Sequence, residues 1–366
     1  VADTIDAPAM PPIGDGPPLS AHEFWPMWRF YPPVLGWVML LMLRHRSIRA
    51  PLLANPTFPA GGLVGESKSA VLGLAGEVAR SWIAPHVAVE RTVRPAEVDL
   101  GVAKARLVET GLDLPLVAKP DLGCRGAGVR PVRSEAELHA YLAAFPAGAR
   151  LLLQTLVDWP GEAGVLWARP PGASRGRILS LTLKYFPHVT GDGRTTLREL
   201  ILADPRAGQV PHLYLGRHAG RLDQVVPAGE RVRLAFAGSH SRGAIFRDGT
   251  PLVTPAMDAR FDSIARDIPG LGFGRFDVRF RRFDDLAAGR GFRIVEVNGA
   301  GAEATHIWDS RVPLAAAYRV LFDQWRLLFA IGAANRRLGH RPAPLADVFR
   351  GWRRERRLLR MYPETA

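Results

Sequence analysis

Lysine is scarce in this chain, with only Lys68, Lys104, Lys119 and Lys184 among 48 basic residues, so its placement carries information. Lys119 ends an apolar run that reads as a strand, and a loop with Gly123, Gly126 and Gly128 follows it. Glycines let backbone N–H groups approach an anion closely, and Lys119 would add a fixed cation beside them. Such a loop also serves as an ordinary hairpin tip. Two later segments, GFGRFDVRF at 272–280 and FRIVEVNGAGAE at 292–303, read as strands. If they pair as neighbours, Asp277, Glu296 and Asn298 face one spot, an all-oxygen set suited to a hard divalent cation. Arg275 stands two residues from Asp277, so the strand period puts both on one face. A cationic glycine loop, an oxygen cluster and an arginine in register together describe a nucleoside triphosphate site.

KPDLGCRGAGV, GRFDVRF and IVEVNGAGAE, in this order and separation, resemble the ATP-grasp superfamily, in particular D-alanine–D-alanine ligase-like enzymes. KYFPHVTGDGRTTLRELI at 184–201 resembles a segment of cyanophycin synthetase-like ATP-grasp ligases. The likeness covers about residues 55 to 309. It implies an α+β fold in which two subdomains clamp ATP, with Mg²⁺, or Mn²⁺ in its place, on Asp277, Glu296 and Asn298. It implies Lys68, Lys119 and Lys184 on nucleotide phosphates, with the loop of Gly123, Cys124, Gly126 and Gly128 closing as a lid. Backbone groups of Gln154, Thr155 and Leu156 would read the base, and Glu162 would accept from the ribose hydroxyls. Arg275, Lys184 and Lys119 would be catalytic. Glu303, Thr305 and His306 would grip the second substrate; Ser239 or His240 stands where these ligases carry an asparagine, which makes His240 a candidate substrate contact. Family members have a full α/β domain ahead of the Lys68 helix, whereas here an apolar stretch stands in its place, which argues against a D-alanine substrate.

Several elements must position these residues. Residues 65–83 read as one helix with Lys68 in its first turn. Ser134, followed by Glu137, caps a helix, and residues 150–156 form a buried strand. Asp192-Gly193 is a turn, with Thr195 or Thr196 capping the next helix. Residues 255–268 form an amphipathic helix, and 314–331 a longer apolar-striped one.

The ends differ in kind. Residues 1–20 are rich in Pro and Gly and read as a disordered lead-in. Residues 21–64 form an apolar N-terminal segment, 65–333 the nucleotide-clamping domain, and 334–366 a basic helical tail. Residues 24–43 carry one charge, Arg29, with Pro32-Pro33 in the middle. That pair would break a spanning helix, and the remainder is too short to span. A membrane-surface anchor and a core helix both fit, and the following RHRSIR run could face anionic headgroups.

A single cysteine, Cys124, excludes an internal disulfide and fits a reducing compartment. The formal net charge of +13 invites an anionic partner. No aromatic RNA-binding signature or basic helix-turn-helix accompanies it, so nucleic acid is not expected. The expectation is an ATP-dependent carboxylate–amine ligase working through an acylphosphate, cytoplasmic or peripheral on the inner face of the membrane. Its substrates would be a small-molecule or lipid-linked acid and an amine, and a homodimer is left open. The alternatives are an ATP-grasp kinase, or a membrane-associated ATP-binding protein without ligase activity, with a basic nucleic-acid-binding protein the weakest of them.

Overall fold

The computed structural model describes residues 9–365. Helices α1 (Met27–Phe30) and α2 (Pro32–Arg44) come first. Pro32-Pro33 starts α2 rather than breaking it, because a first-turn N–H has no intrahelical partner to lose. Residues 9–20, expected to be disordered, lie against the body as irregular chain. Their carbonyls are taken up by donors from far along the sequence: Tyr185 donates to Pro11 at 2.8 Å, Arg247 to Ile13 at 2.9 Å and Arg206 to Pro18 at 2.6 Å. Residues 1–8 of that expectation lie outside the described residues.

The helix expected over 65–83 is two, α3 (Lys68–Gly73) and α4 (Glu77–Trp82). Asp267 makes the break. Gly76 N donates to its carbonyl at 2.9 Å, and Ala79 N donates to its carboxylate at 2.8 Å. A Cβ on Gly76 would lie 2.3 Å from that carboxylate, so only glycine admits this approach.

Strands β1 (His86–Arg91), β2 (Leu116–Pro120), β3 (Arg130–Val132) and β4 (Ala149–Thr155) form an antiparallel sheet in the order β1-β4-β2-β3. Helices α5 (Ala96–Thr110) and α6 (Glu135–Ala144) pack with it around Leu107, Leu116, Leu138 and Leu151. Ser134 caps α6 as expected, accepting from Glu137 N at 3.2 Å.

The second sheet begins with β5 (Gly161–Ala168) and β6 (Arg177–Tyr185). A ribbon of β7 (His188–Thr190) and β8 (Arg231–Arg233) stands beside α7 (Leu197–Ala203), where Thr196 and Glu199 form a capping box. The chain returns through β9 (Ile245–Asp248), α8 (Pro255–Arg266), β10 (Phe273–Phe280), α9 (Phe283–Ala287) and β11 (Phe292–Asn298). The order is β11-β10-β5-β6-β9, antiparallel throughout. Strand alternation sorts this sheet into two faces. Val165, Leu181, Phe276, Val278 and Phe280 join Phe261 of α8 in the largest apolar core. The opposite face, through directly paired residues, carries Glu162, Lys184, Arg275, Asp277, Arg279, Glu296 and Asn298.

Helices α10 (Leu314–Arg337) and α11 (Leu345–Leu359) end the chain. Val34, Val38 and Leu41 of α2 share a core with Leu321 and Phe329 of α10. Among the described residues no helix is long and apolar enough to cross a membrane.

Candidate active site

The site lies where the glycine-loop sheet meets the charged face of the larger sheet. Lys119, on β2, is the point of contact. It is 6% exposed, and its Nζ donates to Gln154 Oε1 at 2.8 Å and to Val295 O at 2.7 Å. Val295 is the extra residue of a bulge, since Asp277 pairs with Glu296 while Val278 pairs with Ile294. The bulge gives β11 a carbonyl for Lys119 that an unbroken ladder would have used. Among the described residues Lys119 has no carboxylate within hydrogen-bonding distance, and burial lowers its pKa to about 8, with Glu296 and Asp277 acting in the opposite sense.

Lys68 opens α3, and its Nζ donates to Gly123 O at 2.6 Å and lies 3.3 Å from Glu296. Burial disfavours its charge, but Glu296, Glu66 and Asp121 outweigh it and raise the pKa. Asp121 joins the helix start to the glycine loop. Its carboxylate accepts from Ser67 Oγ and Ser69 N at 2.7 Å each, and its carbonyl from Lys68 N at 3.0 Å.

The floor is an alternating line of charge. Arg275 donates to Asp277 at 3.0 and 3.1 Å, and Lys184 lies between Asp277 at 2.9 Å and Glu162 at 3.1 Å. Arg279 closes the line on Glu162 at 2.9 Å. Burial alone would raise both carboxyl pKa values, but the flanking cations hold both well down. Asn298 donates to Asp277 at 3.2 Å and Glu296 pairs directly with Asp277 across the strands, so the three residues expected to hold a metal share one face. Asp277, however, already accepts from Arg275, Lys184 and Asn298, while Glu296 is the more open of the two carboxylates. Among the described residues no group of three or more His, Cys, Asp or Glu is placed to hold a metal ion.

Glu162 was expected to face a ribose; instead it is buried in the floor, both oxygens engaged by Lys184 and Arg279. Gly238 covers it, with room for no side chain: a Cβ there would lie 1.8 Å from Glu162 Oε1. The backbone N–H groups of Thr155 and Leu156 donate to Pro85 and Pro115 carbonyls at 2.9 and 3.2 Å, which takes them away from any base. Gln154 turns its side chain to Lys119 and to Ala84 O at 3.2 Å.

The glycine loop is held by the C-terminal tail, which the sequence did not suggest. Thr365 Oγ1 accepts from Gly128 N at 3.1 Å and donates to Gly126 O at 2.9 Å, and Tyr362 donates to Leu122 O at 2.6 Å. Tyr141 donates to Gly128 O at 2.8 Å. Gly126 and Gly128 have positive φ, 70° and 69°, which lets the loop fold tightly under these contacts. Cys124 is exposed at its tip, yet the surrounding loop partly desolvates its sulfur and, with Glu355, raises the thiol pKa, so it is no ready thiolate.

Beyond Arg275 the site meets the N-terminal segment. Tyr31 donates to both oxygens of Glu303 at 2.9 and 3.1 Å, Arg275 donates to Glu303 O at 3.3 Å, and Thr305 donates to Thr182 at 3.0 Å. Burial raises the Glu303 pKa against the pull of Tyr31, Arg125 and Arg275. His240 stacks on Trp308 with ring centres 4.6 Å apart, and burial pushes its pKa down to about 3, so it is neutral. His306, expected at the amine, is buried with its pKa lowered, beside Asp248 and Asp309. Tyr31 had no motif to mark it.

Comparison with protein families and with curated proteins gives no match. Among solved structures, the chain is similar to a bifunctional glutathione synthetase from Pasteurella multocida, at 15% identity over 70% of this chain and 36% of that one, TM-score 0.34. It is similar to a D-cycloserine synthetase at 13% identity over 71% and 70%, TM-score 0.37. A D-Ala:D-Ser ligase from Enterococcus faecalis aligns at 14% identity over 73% and 62%, TM-score 0.38. The chain spans about a third of the length of the first.

Proposed function

We propose that this chain is an ATP-grasp ligase that joins a carboxylate to an amine through an acylphosphate and releases ADP and phosphate. The observation that carries the reading is the contact of Lys119 with the Val295 bulge. It brings the lysine of the glycine-loop strand against the strand bearing Glu296 and Asn298, so one nucleotide can touch both sheets. Lys119 and Lys68 hold phosphate oxygens in this reading. Lys119 suits the task because its charge is buried with no carboxylate bonded to it among the described residues, and an entering phosphate supplies a partner.

Arg275 and Lys184 face the phosphoryl group in transfer. Asp277, shared by both, and Glu162, on Lys184, fix the two cations in advance, so little reorganisation accompanies the growth of charge. A divalent cation, Mg²⁺ or Mn²⁺, fits the oxygen chemistry of Glu296, Asn298 and Asp277, and bound there it would neutralise charge on the phosphates. Glu303, held by Tyr31, is the group that orients the amine and accepts its proton as it attacks the acyl carbon. Positioning and charge stabilisation do most of the work, as in other phosphoryl transfers. The test is a screen of carboxylate and amine pairs for release of ADP and phosphate. Release that needs both partners is expected; release that needs neither, or an acid alone, sinks the reading.

A further inference from the structure

The outer side of α2 has no role in the site. Val34, Val38 and Leu41 face inward, and Trp37 Nε1 donates to Phe322 O at 2.9 Å, so the helix is fixed on α10. The outward residues are nevertheless apolar: Leu35, Met39, Leu40 and Leu43 are between 53% and 76% exposed. Met27 and Trp28 in the preceding turn are 58% and 77% exposed. Single exposed apolar residues are ordinary, but a continuous face of this kind marks an interaction surface.

Its surroundings carry one sign of charge. No Asp or Glu occurs between Glu23 and Glu66. Arg29 lies over the Trp25 ring at one end, 3.9 Å from its centre, and Arg44, Arg46 and Arg49 follow at the other. Arg336 and Arg337 of α10 are close enough to depress the pKa of His45, after burial the next causes along with Arg44. None of these six arginines pairs with a carboxylate among the described residues. A second copy of this face would bring arginines against arginines with no counter-charge. A bilayer with anionic headgroups supplies both what the apolar side chains and what the arginines need.

We propose that the outer face of α2, with Met27 and Trp28, docks on an anionic lipid bilayer. The helix lies in the interface and does not span it. This inference is independent of the ligase reading, since none of its residues belongs to the site.

The test is co-sedimentation of the full chain with vesicles of phosphatidylglycerol and phosphatidylcholine in equal parts, and with phosphatidylcholine alone. Binding to the anionic vesicles is expected. A Leu40→Glu, Leu43→Glu double variant should weaken it more than about tenfold. Replacing Arg44, Arg46 and Arg49 by Gln should cost about fivefold per arginine on anionic vesicles and little on neutral ones. All five side chains are exposed, and unchanged thermal melting checks that the variants fold. Failure to bind either vesicle, or equal binding by the wild type and both variants, overturns the proposal. So does a dimer in sedimentation velocity that the leucine variant abolishes while vesicles are ignored. Equal binding to neutral vesicles overturns the anionic lipid as the occupant.

Discussion

Lys119 offers a test whose size follows from its surroundings. Burial brings its pKa to about 8, so at pH 7 the free protein carries the charge and at pH 9 it has mostly lost it. A bound phosphate would restore the ordinary lysine range of about 10.4. Binding at pH 9 must then recharge the amine, which takes up about 0.9 proton and weakens affinity about tenfold relative to pH 7, or ~1.4 kcal/mol. The sign is fixed by the direction of the shift: a depressed lysine loses affinity for anions as pH rises through its own pKa. Titration calorimetry of ADP with Mg²⁺ at the two pH values measures the loss. Repeating the pH 9 titration in buffers of different ionisation heat counts the proton. In Lys119→Arg the guanidinium stays charged, so this part of the pH dependence should vanish. An unchanged affinity in the wild type, or the same loss in Lys119→Arg, would refute the placement of Lys119 on phosphate.

Lys184→Met should keep the fold, because Arg275 still pairs with Asp277 and Arg279 with Glu162. Turnover should nevertheless fall by roughly a hundredfold to a thousandfold once the substrates are found, read by phosphate release alongside circular dichroism. A Tyr362→Phe, Thr365→Ala variant removes hydrogen bonds to Leu122, Gly126 and Gly128, each contributing about 0.5–1.5 kcal/mol. Amide exchange over residues 122–128 should speed up while that of β10 does not change. Arg206→Met leaves Glu23 buried without its partner at 2.6 Å, and should cost about 3–5 kcal/mol in chemical denaturation. A loss under 1 kcal/mol would mean that the N-terminal segment is not integral to the fold.

Period-2 alternation was enough to place Arg275, Asp277, Glu296 and Asn298 on one face, because it follows from strand geometry alone. The Ser134 cap was legible for the same reason, being local, and Thr196, which forms a capping box, was one of the two caps open for α7. What escaped depends on contacts between distant segments. The break at Gly76 needs Asp267, the burial of Glu162 needs Arg279 and Gly238, and the hold on the glycine loop needs Tyr362 and Thr365. The bulge at Val295 has no mark in an apolar strand, since valine fits either a regular or a bulged position. The apolar run at 24–43 was ambiguous because composition does not say which side of α2 meets the core.

The central claim is the acylphosphate, and the route of one oxygen tests it. Once the screen has given an acid and an amine, ¹⁸O placed in the carboxylate should appear in the released phosphate, one label for each amide formed. The acylphosphate carries that oxygen as its bridge, and attack at the carbonyl carbon leaves it with phosphorus. Label in phosphate in step with amide is the predicted result. Unlabelled phosphate beside normal amide product would contradict the account.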